Sequence, residues 1–287
     1  MYARACCFHR SGLEGSVLWV VKTMKSLAAV NIRQFEHAVE SLEKYREIVD
    51  KGWEILFRFS GPVSWKSSGK NAVCIVIGSD QGMCGQFNET AVSHALEKVK
   101  GLTEKGLEVT FWSLGEKISG ALEDMGYKTG EQLPAAANLT AINNLVQIMV
   151  QQIESWRSGK GIEYFYVCHN ILVKERGQSR VFYRLLPLDK DWADQYRAKK
   201  WPERCLPLLG LPREDMFVHL FRQYIFISLY RAVAQSLAGE NAARLFAMQA
   251  AEKNIQEQKE ELQALFREQR QAEITNELLD IISGFEA

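Results

Sequence analysis

No proline occurs before Pro62 or after Pro212, and that bounds what the two ends of this chain can form. Proline removes a backbone donor and clashes with the preceding turn, so its absence permits long helices. All six prolines (Pro62, Pro134, Pro187, Pro202, Pro207 and Pro212) lie in between. From Arg213 to Ala287 only Gly239 and Gly284 interrupt a helical pattern, and Gly284 stands where a C-cap belongs. At about 1.5 Å per residue, roughly 70 residues predict a rod about 100 Å long, against ~30 Å for a small domain. Such a helix leaves its domain and needs a partner along its length. Rods span, connect or transmit force, and they are poor places for an ordinary active site.

The other end of the chain reads as that partner. From about Val17 to Phe59, the residues Ala28, Ile32, Phe35, Val39, Leu42, Val49, Trp53 and Leu56 alternate by threes and fours, with Arg46 breaking one step. That is a heptad seam. The last tract has a partial seam at Leu245, Met248, Ile255, Leu262 and Phe266, with alanines at 242, 243, 247, 250 and 251 that admit a close neighbour. Two separate amphipathic helices on a core would give the same pattern. Their shared length and lack of proline favour an antiparallel coiled coil. Residues 1–16 carry Arg4, Arg10, Cys6, Cys7 and His9 with one acid, Glu14. They lack the serine content of a transit peptide and the apolar core of a secretory signal. A poorly structured, atypical start is expected there, followed by a helix over 17–60.

Between the ends the character changes. Ser60-Gly61-Pro62 stops the first helix and Lys66–Lys70 (KSSGK) reads as a polar loop. Asn71–Ile77 reads as a fully buried strand, Gly78–Gly85 as a loop and Asn88–Lys100 as a helix. Leu107–Leu114 reads as a strand, Gly115–Met125 and Leu139–Trp156 as helices, and Ile162–Val167 and Ser179–Leu188 as strands. The alternation predicts an α/β domain with a largely parallel sheet over about 70–210. The expected fold class is therefore α/β: an antiparallel coiled coil of the N-terminal (17–60) and C-terminal (213–287) helices with an inserted α/β (Rossmann-like) domain.

Composition excludes several functions. Lys+Arg 35 balances Asp+Glu 35, which gives no basic footprint for nucleic acid. The apolar run Tyr224–Leu229 is far too short to span a bilayer, so membrane attachment is expected only through another protein. The six cysteines (Cys6, Cys7, Cys74, Cys84, Cys168 and Cys205) form no CxxC pair, which fits a reducing compartment and no metal site. The loop Gly78-Ser79-Asp80-Gln81-Gly82-Met83-Cys84-Gly85 has the setting of a phosphate-binding loop, between a strand and a helix. Its spacing is GxxxGxxG, without the Gly-Lys-Ser/Thr of a nucleotide loop. A tight structural turn is the expected reading. Cys84 lies near a helix start but lacks a basic or acidic partner in a motif. His94 and His169 have no ligand partner one turn away, and Glu257–Glu261 reads as a solvated helix face. No catalytic residue, cofactor site or metal site is expected.

The ends and the loop carry a resemblance. The stretch Ile274-Thr275-Asn276-Glu277-Leu278-Leu279-Asp280-Ile281-Ile282-Ser283-Gly284-Phe285-Glu286-Ala287 resembles the C-terminal signature of the gamma subunit of F-type ATP synthases, with Phe285 where that family has alanine. Ser236–Arg244 with Met248 is similar to its SLASENAARxxAM stretch, GSDQGMCGQFN (Gly78–Asn88) to its SSDRGLCGGFN segment, and Lys22–Ala29 to its KAMKMVAA stretch. VVKTMKSLAA and SGFEA look more like the alternate N-ATPase branch. Met1–Trp19 does not match the family's start. The resemblance implies a non-catalytic rotor at the centre of the complex. Its partners would be the alpha and beta subunits of F1, the epsilon subunit and the c-ring of Fo. It would sit peripherally at the cytoplasmic face of a bacterial or archaeal membrane. It also implies beta-subunit contacts at Met24, Lys25, Arg270, Gln271 and Thr275, and an apolar tip of Ile274, Leu278, Ile281, Ile282 and Phe285. Two other classes compete: a nucleotide-binding α/β enzyme with helical extensions, and a coiled-coil scaffold of unrelated function.

Overall fold

The computed structural model describes residues 2–59, 69–173, 177–199, 201, 205 and 210–285, with the side chains of all these except 2–16, 59, 177, 190, 280 and 282–285. The Ser60-Gly61-Pro62 stop and most of the polar loop at 66–70 fall outside them. In chain order the elements are α1 (Tyr2–Phe59), β1 (Asn71–Ile77), α2 (Phe87–Thr103), β2 (Glu108–Leu114), α3 (Glu116–Asp124), β3 (Thr129–Leu133), α4 (Leu139–Lys160), β4 (Tyr164–Val173), β5 (Gly177–Leu186), α5 (Lys190–Ala198) and α6 (Arg213–Phe285). The chain divides into two compact units, Val30–Ala243 and Met1–Ala29 with Arg244–Ala287.

In the unit Val30–Ala243 one five-stranded sheet runs in the order β3-β2-β1-β4-β5. The first four strands are parallel neighbours and β5 is antiparallel to β4. Successive strand residues point to opposite faces, and β1 shows why this strand is apolar throughout. Val73, Ile75 and Ile77 join a core with Ile142, Val146 and Met149 of α4 and with Ile225, Leu229 and Val233 of α6. Cys74 and Val76 face the other way, against Ala91, Val92 and Ala95 of α2 and Ile118 and Leu122 of α3. A parallel strand covered on both faces cannot afford an alternating polar side.

Two elements escape the sequence reading. The strand β3 (Thr-Gly-Glu-Gln-Leu) is a half-buried sheet edge with no β-branched apolar run to announce it. The helix α5 is mostly polar; it turns the apolar Trp192, Ala193 and Tyr196 inward, against Trp53, Phe57 and other neighbours.

The two long helices run antiparallel within this unit. Asn31 Nδ2 donates to Asn241 Oδ1 at 3.3 Å, Arg231 Nη1 pairs with Glu43 Oε1 at 3.0 Å, and Tyr45 OH donates to Gln223 Oε1 at 2.8 Å. One number rises as the other falls. The predicted seam faces inward: Phe35, Val49, Trp53 and Leu56 are buried, and Ile32, Val39 and Leu42 are half-buried. The helices come close enough at Gly52 that a Cβ there would lie 2.7 Å from Leu220 Cδ2.

In the second unit Val21, Ala28 and Met248 are buried, and Lys25 Nζ meets Glu252 Oε2 at 2.9 Å. Ile255 and Leu262 are half-buried but Phe266 is exposed, so the expected seam does not reach it. The register that joins Lys25 to Glu252 sets Phe266 opposite a part of α1 whose side chains lie outside those described. Residues 2–16, expected to be poorly structured, have helical backbone continuous with the rest of α1. Extending a formed helix costs little compared with nucleating one, so Gly12 and Gly15 do not end it. Likewise α6 runs to Phe285, which leaves Gly284 in its last turn rather than beyond it.

Trp53 is fully buried, stacked on Phe57 at 5.4 Å and edge-on to Trp192 at 5.1 Å and Phe217 at 5.6 Å. Trp53→Ala should therefore lower the unfolding free energy by about 3–5 kcal/mol, read from the urea midpoint at unchanged slope. A loss below about 1 kcal/mol would show that this cluster does not anchor α1.

Candidate functional site

The glycine loop is filled by its own side chains. Gly78 is packed so closely that a Cβ would lie 2.5 Å from Ile118 Cβ. Ser79 N donates to Asn88 Oδ1 at 3.0 Å, and Asn88 Nδ2 returns a bond to Ser79 Oγ at 2.9 Å. The Asp80 carboxylate accepts from Glu116 N at 2.9 Å, at the start of α3, and from Ala135 N at 3.0 Å. A phosphate on this loop would need the N–H groups at the start of α2, whereas Asp80 ties the loop to the start of α3. The adjoining cleft is lined by Glu89, Glu116, Glu123 and Asp124 with Lys117, a charge set that repels anions. Gly85, with φ 59°, takes the left-handed turn that an L residue resists. The loop builds a strand-to-helix turn, and Cys84 is buried within it beside Ser79 and Asn88.

The two weighed histidines are structural. His94 is half-buried on α2, 4.0 Å from Glu97, and burial lowers its pKa. His169 is buried on β4, its Nε2 3.2 Å from Gln235 Oε1 and its ring edge-on to Tyr183. Burial, with a smaller contribution from Arg231, lowers its pKa to about 4. Burial likewise pushes the Cys168 thiol up to about 12, which leaves it inert as a nucleophile. Among the described residues no group of three or more His, Cys, Asp or Glu side chains could hold a metal ion. Nor is any described helix long and apolar enough to cross a membrane.

The helix residues named by resemblance stand differently. Arg270, Gln271 and Thr275 are exposed on α6, with Thr275 Oγ1 donating to Gln271 O at 2.8 Å within the helix. Ile274, Leu278 and Ile281 are exposed on the same stretch, and the side chains of Ile282 and Phe285 fall outside those described. At i, i+4 spacing, Arg270, Ile274 and Leu278 form one row, and Gln271 and Thr275 the next. Met24 and Lys25 are half-buried on α1, and Lys25 is engaged within the chain by Glu252. That ion pair was not foreseen, because nothing in the sequence fixes which acid of α6 faces it. Other exposed apolar residues, Trp19, Val20 and Leu27 on α1 and Leu279 on α6, also escaped notice. The signal for them was present, since they are large apolar side chains off the seam.

The family model described as ATP synthase matches residues 15–287, nearly the whole chain. The chain belongs to the ATP synthase family. Curated relatives carry the name ATP synthase gamma chain. That of Glaesserella parasuis serovar 5 (strain SH0165) is 27% identical over 270 residues, covering 92% of each chain. That of Histophilus somni (strain 2336) is 26% identical over 269 residues with the same coverage. Among solved structures, the rotor of the Euglena gracilis mitochondrial ATP synthase matches with a TM-score of 0.61 at 15% identity, covering 93% of this chain and 98% of that one. The central stalk and c-ring structure of the Tetrahymena thermophila mitochondrial ATP synthase gives a TM-score of 0.55 at 19% identity, covering 81% and 99%. These structural likenesses concern the fold: two terminal helices around a mixed α/β unit. The family match begins at residue 15, within the stretch Met1–Trp19 whose sequence departs from the family pattern.

Two measurements follow from this geometry. Calorimetry of the chain with ATP should show no binding at the glycine loop, and a dissociation constant below about 100 μM would contradict its reading as a turn. His169 has a folded-state pKa of about 4, below the ~6.5 of an unfolded histidine, so the unfolded chain binds the proton more readily. Its contribution to stability is complete above about pH 6.5 and falls as pH drops towards 4, by about 3 kcal/mol in all. His169→Gln should flatten that part of the stability profile. An unchanged slope in the variant would assign the acid sensitivity to other groups.

Proposed function

We infer that this chain is the gamma, central-stalk rotor of an F-type ATP synthase, a non-catalytic subunit that couples ion flow through the membrane ring to ATP turnover on the alpha and beta subunits. The observation that carries this reading is the family match over residues 15–287. The structure adds a physical means. α6 is one unbroken helix, and every described side chain from Gln263 to Leu279 on it is exposed. A row of exposed apolar side chains at Ile274, Leu278 and Ile281 marks an interaction surface, and an apolar sleeve within the alpha–beta ring is the partner this reading supplies. Arg270 beside it offers charge-assisted bonds to carboxylate or carbonyl acceptors.

A single asymmetric rod inside a ring biases otherwise equal sites among discrete states, which is a coupling free energy between distant sites. The rotor makes and breaks no covalent bond in this scheme. Arg270, Gln271 and Thr275 would touch the beta subunit from α6, and Met24 from α1. Lys25 would do so only by exchanging Glu252 for a carboxylate of the partner. The epsilon subunit and c-ring would engage the α/β unit. The chain is a peripheral F1 subunit of a membrane-associated complex. We assign it to the cytoplasmic face of a bacterial or archaeal membrane, and to the N-ATPase branch on its VVKTMKSLAA and SGFEA variants. The rival enzyme reading rested on the glycine loop, whose Ser79 and Asn88 bond each other and whose adjoining cleft is lined mostly by acids.

Losing a charged hydrogen bond at an interface costs about 1.5–3 kcal/mol, a ten- to hundredfold change in a coupled equilibrium at about 1.4 kcal/mol per decade. Arg270→Ala should lower ATPase turnover of the reconstituted complex by roughly that factor. It should leave the melting temperature of the isolated chain within about 2 °C, because the position is exposed and alanine favours helix. Full turnover and ion pumping in an assembled mutant would remove Arg270 from the coupling.

A further inference from the structure

Within the unit Val30–Ala243, steps of seven residues trace the line along which α1 and α6 meet. On α1 they read Asn31, Ala38, Tyr45 and Gly52, and on α6 Leu220, Ile227, Ala234 and Asn241. Contacts stand at both ends of this line. A Cβ at Gly52 would lie 2.7 Å from Leu220 Cδ2, and Asn31 Nδ2 donates to Asn241 Oδ1 at 3.3 Å, at the long end for such a bond. The same three heptads separate the two contacts on each helix, so one register runs through both. That register sets Ala38 level with Ala234. The α6 side of the seam here is built from small residues, with Ala234, Ala238 and Ala242 all buried. Alanine on alanine is smooth. Apolar burial is non-directional, and without large side chains to interlock it says little about how far one helix may slide or turn on the other.

Asn241 is the one polar residue in its row, and it is 4% exposed. Its Nδ2 donates to Leu237 O at 2.8 Å. That carbonyl only accepts, which fixes the orientation of the amide and leaves Oδ1 as the acceptor for Asn31. A buried acceptor that loses its donor is costly. A slip of one heptad sets Asn31 against Ala234 in one direction and Asn241 against Ala38 in the other. Either way an amide is left facing a methyl group. A lone polar position in an apolar seam fixes register in coiled coils for this reason.

We propose that Asn31 and Asn241 are positioning residues that key α1 to α6, holding one register where the alanines alone would admit several. Their consequence for coupling rests on the rotor reading, because torque passes along a two-helix rod only if neither helix slides on the other.

Disulfide trapping on the full chain reads the register. Ala38→Cys with Ala234→Cys places two thiols in register. Tyr45→Cys with Ala234→Cys, and Ala38→Cys with Ile227→Cys, place them one heptad out in opposite directions. A heptad is about 10 Å along a helix, beyond the ~7 Å between Cα atoms that a disulfide spans. Each pair therefore reports one register, and peptide masses separate its disulfide from any made by the native cysteines. With both asparagines in place the in-register pair should oxidise and the slipped pairs should not. With Asn31→Ala and Asn241→Ala together, slipped disulfides should rise about tenfold. In a double-mutant cycle read from urea midpoints, the two alanine substitutions should be coupled by about threefold or more in the folding equilibrium constant. Slipped disulfides as rare with alanines as with asparagines, or strictly additive single variants, would overturn the proposal. Should the double variant lose its cooperative melt, Asn31→Ala, at the half-buried end, gives the disulfide reading alone. In the reconstituted complex the double variant should move fewer ions per ATP. An unchanged ion yield in a complex whose rod has demonstrably slipped would count against the rotor reading and leave the register key standing.

Discussion

Burial of one stretch of α6 against the sheet is the contact on which everything else rests. Ile225, Leu229, Val233 and Leu237 join Val73, Ile75 and Ile77 of β1 and the inward face of α4 in one core. Burying a side chain of this size is worth about 1.5–3 kcal/mol, so these few residues fix the helix firmly. The same helix continues without a break to Phe285. Small residues make the contact close: Ala232, Ala234 and Ala238 are buried, and Gly239 lies 3.6 Å, from where its Cβ would be, to the Asn170 carbonyl oxygen.

That dependence also explains which features were legible in the sequence. The absence of proline gave the long helices, and the α1 seam from Phe35 to Leu56 was readable because every step except Arg46 buries or half-buries an apolar side chain. β1 was readable because a parallel strand covered on both faces must be apolar throughout. β3 and α5 were not, since an edge strand and a surface helix need only a few inward residues and their polar majority looks like loop. The helical backbone of residues 2–16 was missed for a related reason: composition there argues against a packed face, whereas helix propagation needs none.

The candidate contacts were legible in another sense. Nothing in periodicity singles out Arg270, Gln271 or Thr275, which look like any exposed helical residues. Only the resemblance to a family named them, and the structure adds their exposure beside Ile274 and Leu278. Lys25 shows what neither source supplied, because its pairing with Glu252 depends on the register of two helices joined through more than two hundred residues. The glycine loop shows the converse. Its spacing excluded a nucleotide motif, but the reason it is a turn, Asp80 standing at the start of α3, needed coordinates.

The central claim is that the helix pair turns as one body within a ring of catalytic subunits. It is tested most directly by holding the alpha–beta ring of the reconstituted complex to a surface and fixing a visible probe to the exposed start of β2 through Glu108→Cys. The account predicts that the probe rotates in one direction while ATP is hydrolysed, and that rotation is lost when α6 is truncated ahead of Arg270. A probe that stays still in an assembled complex hydrolysing ATP at full rate would contradict it.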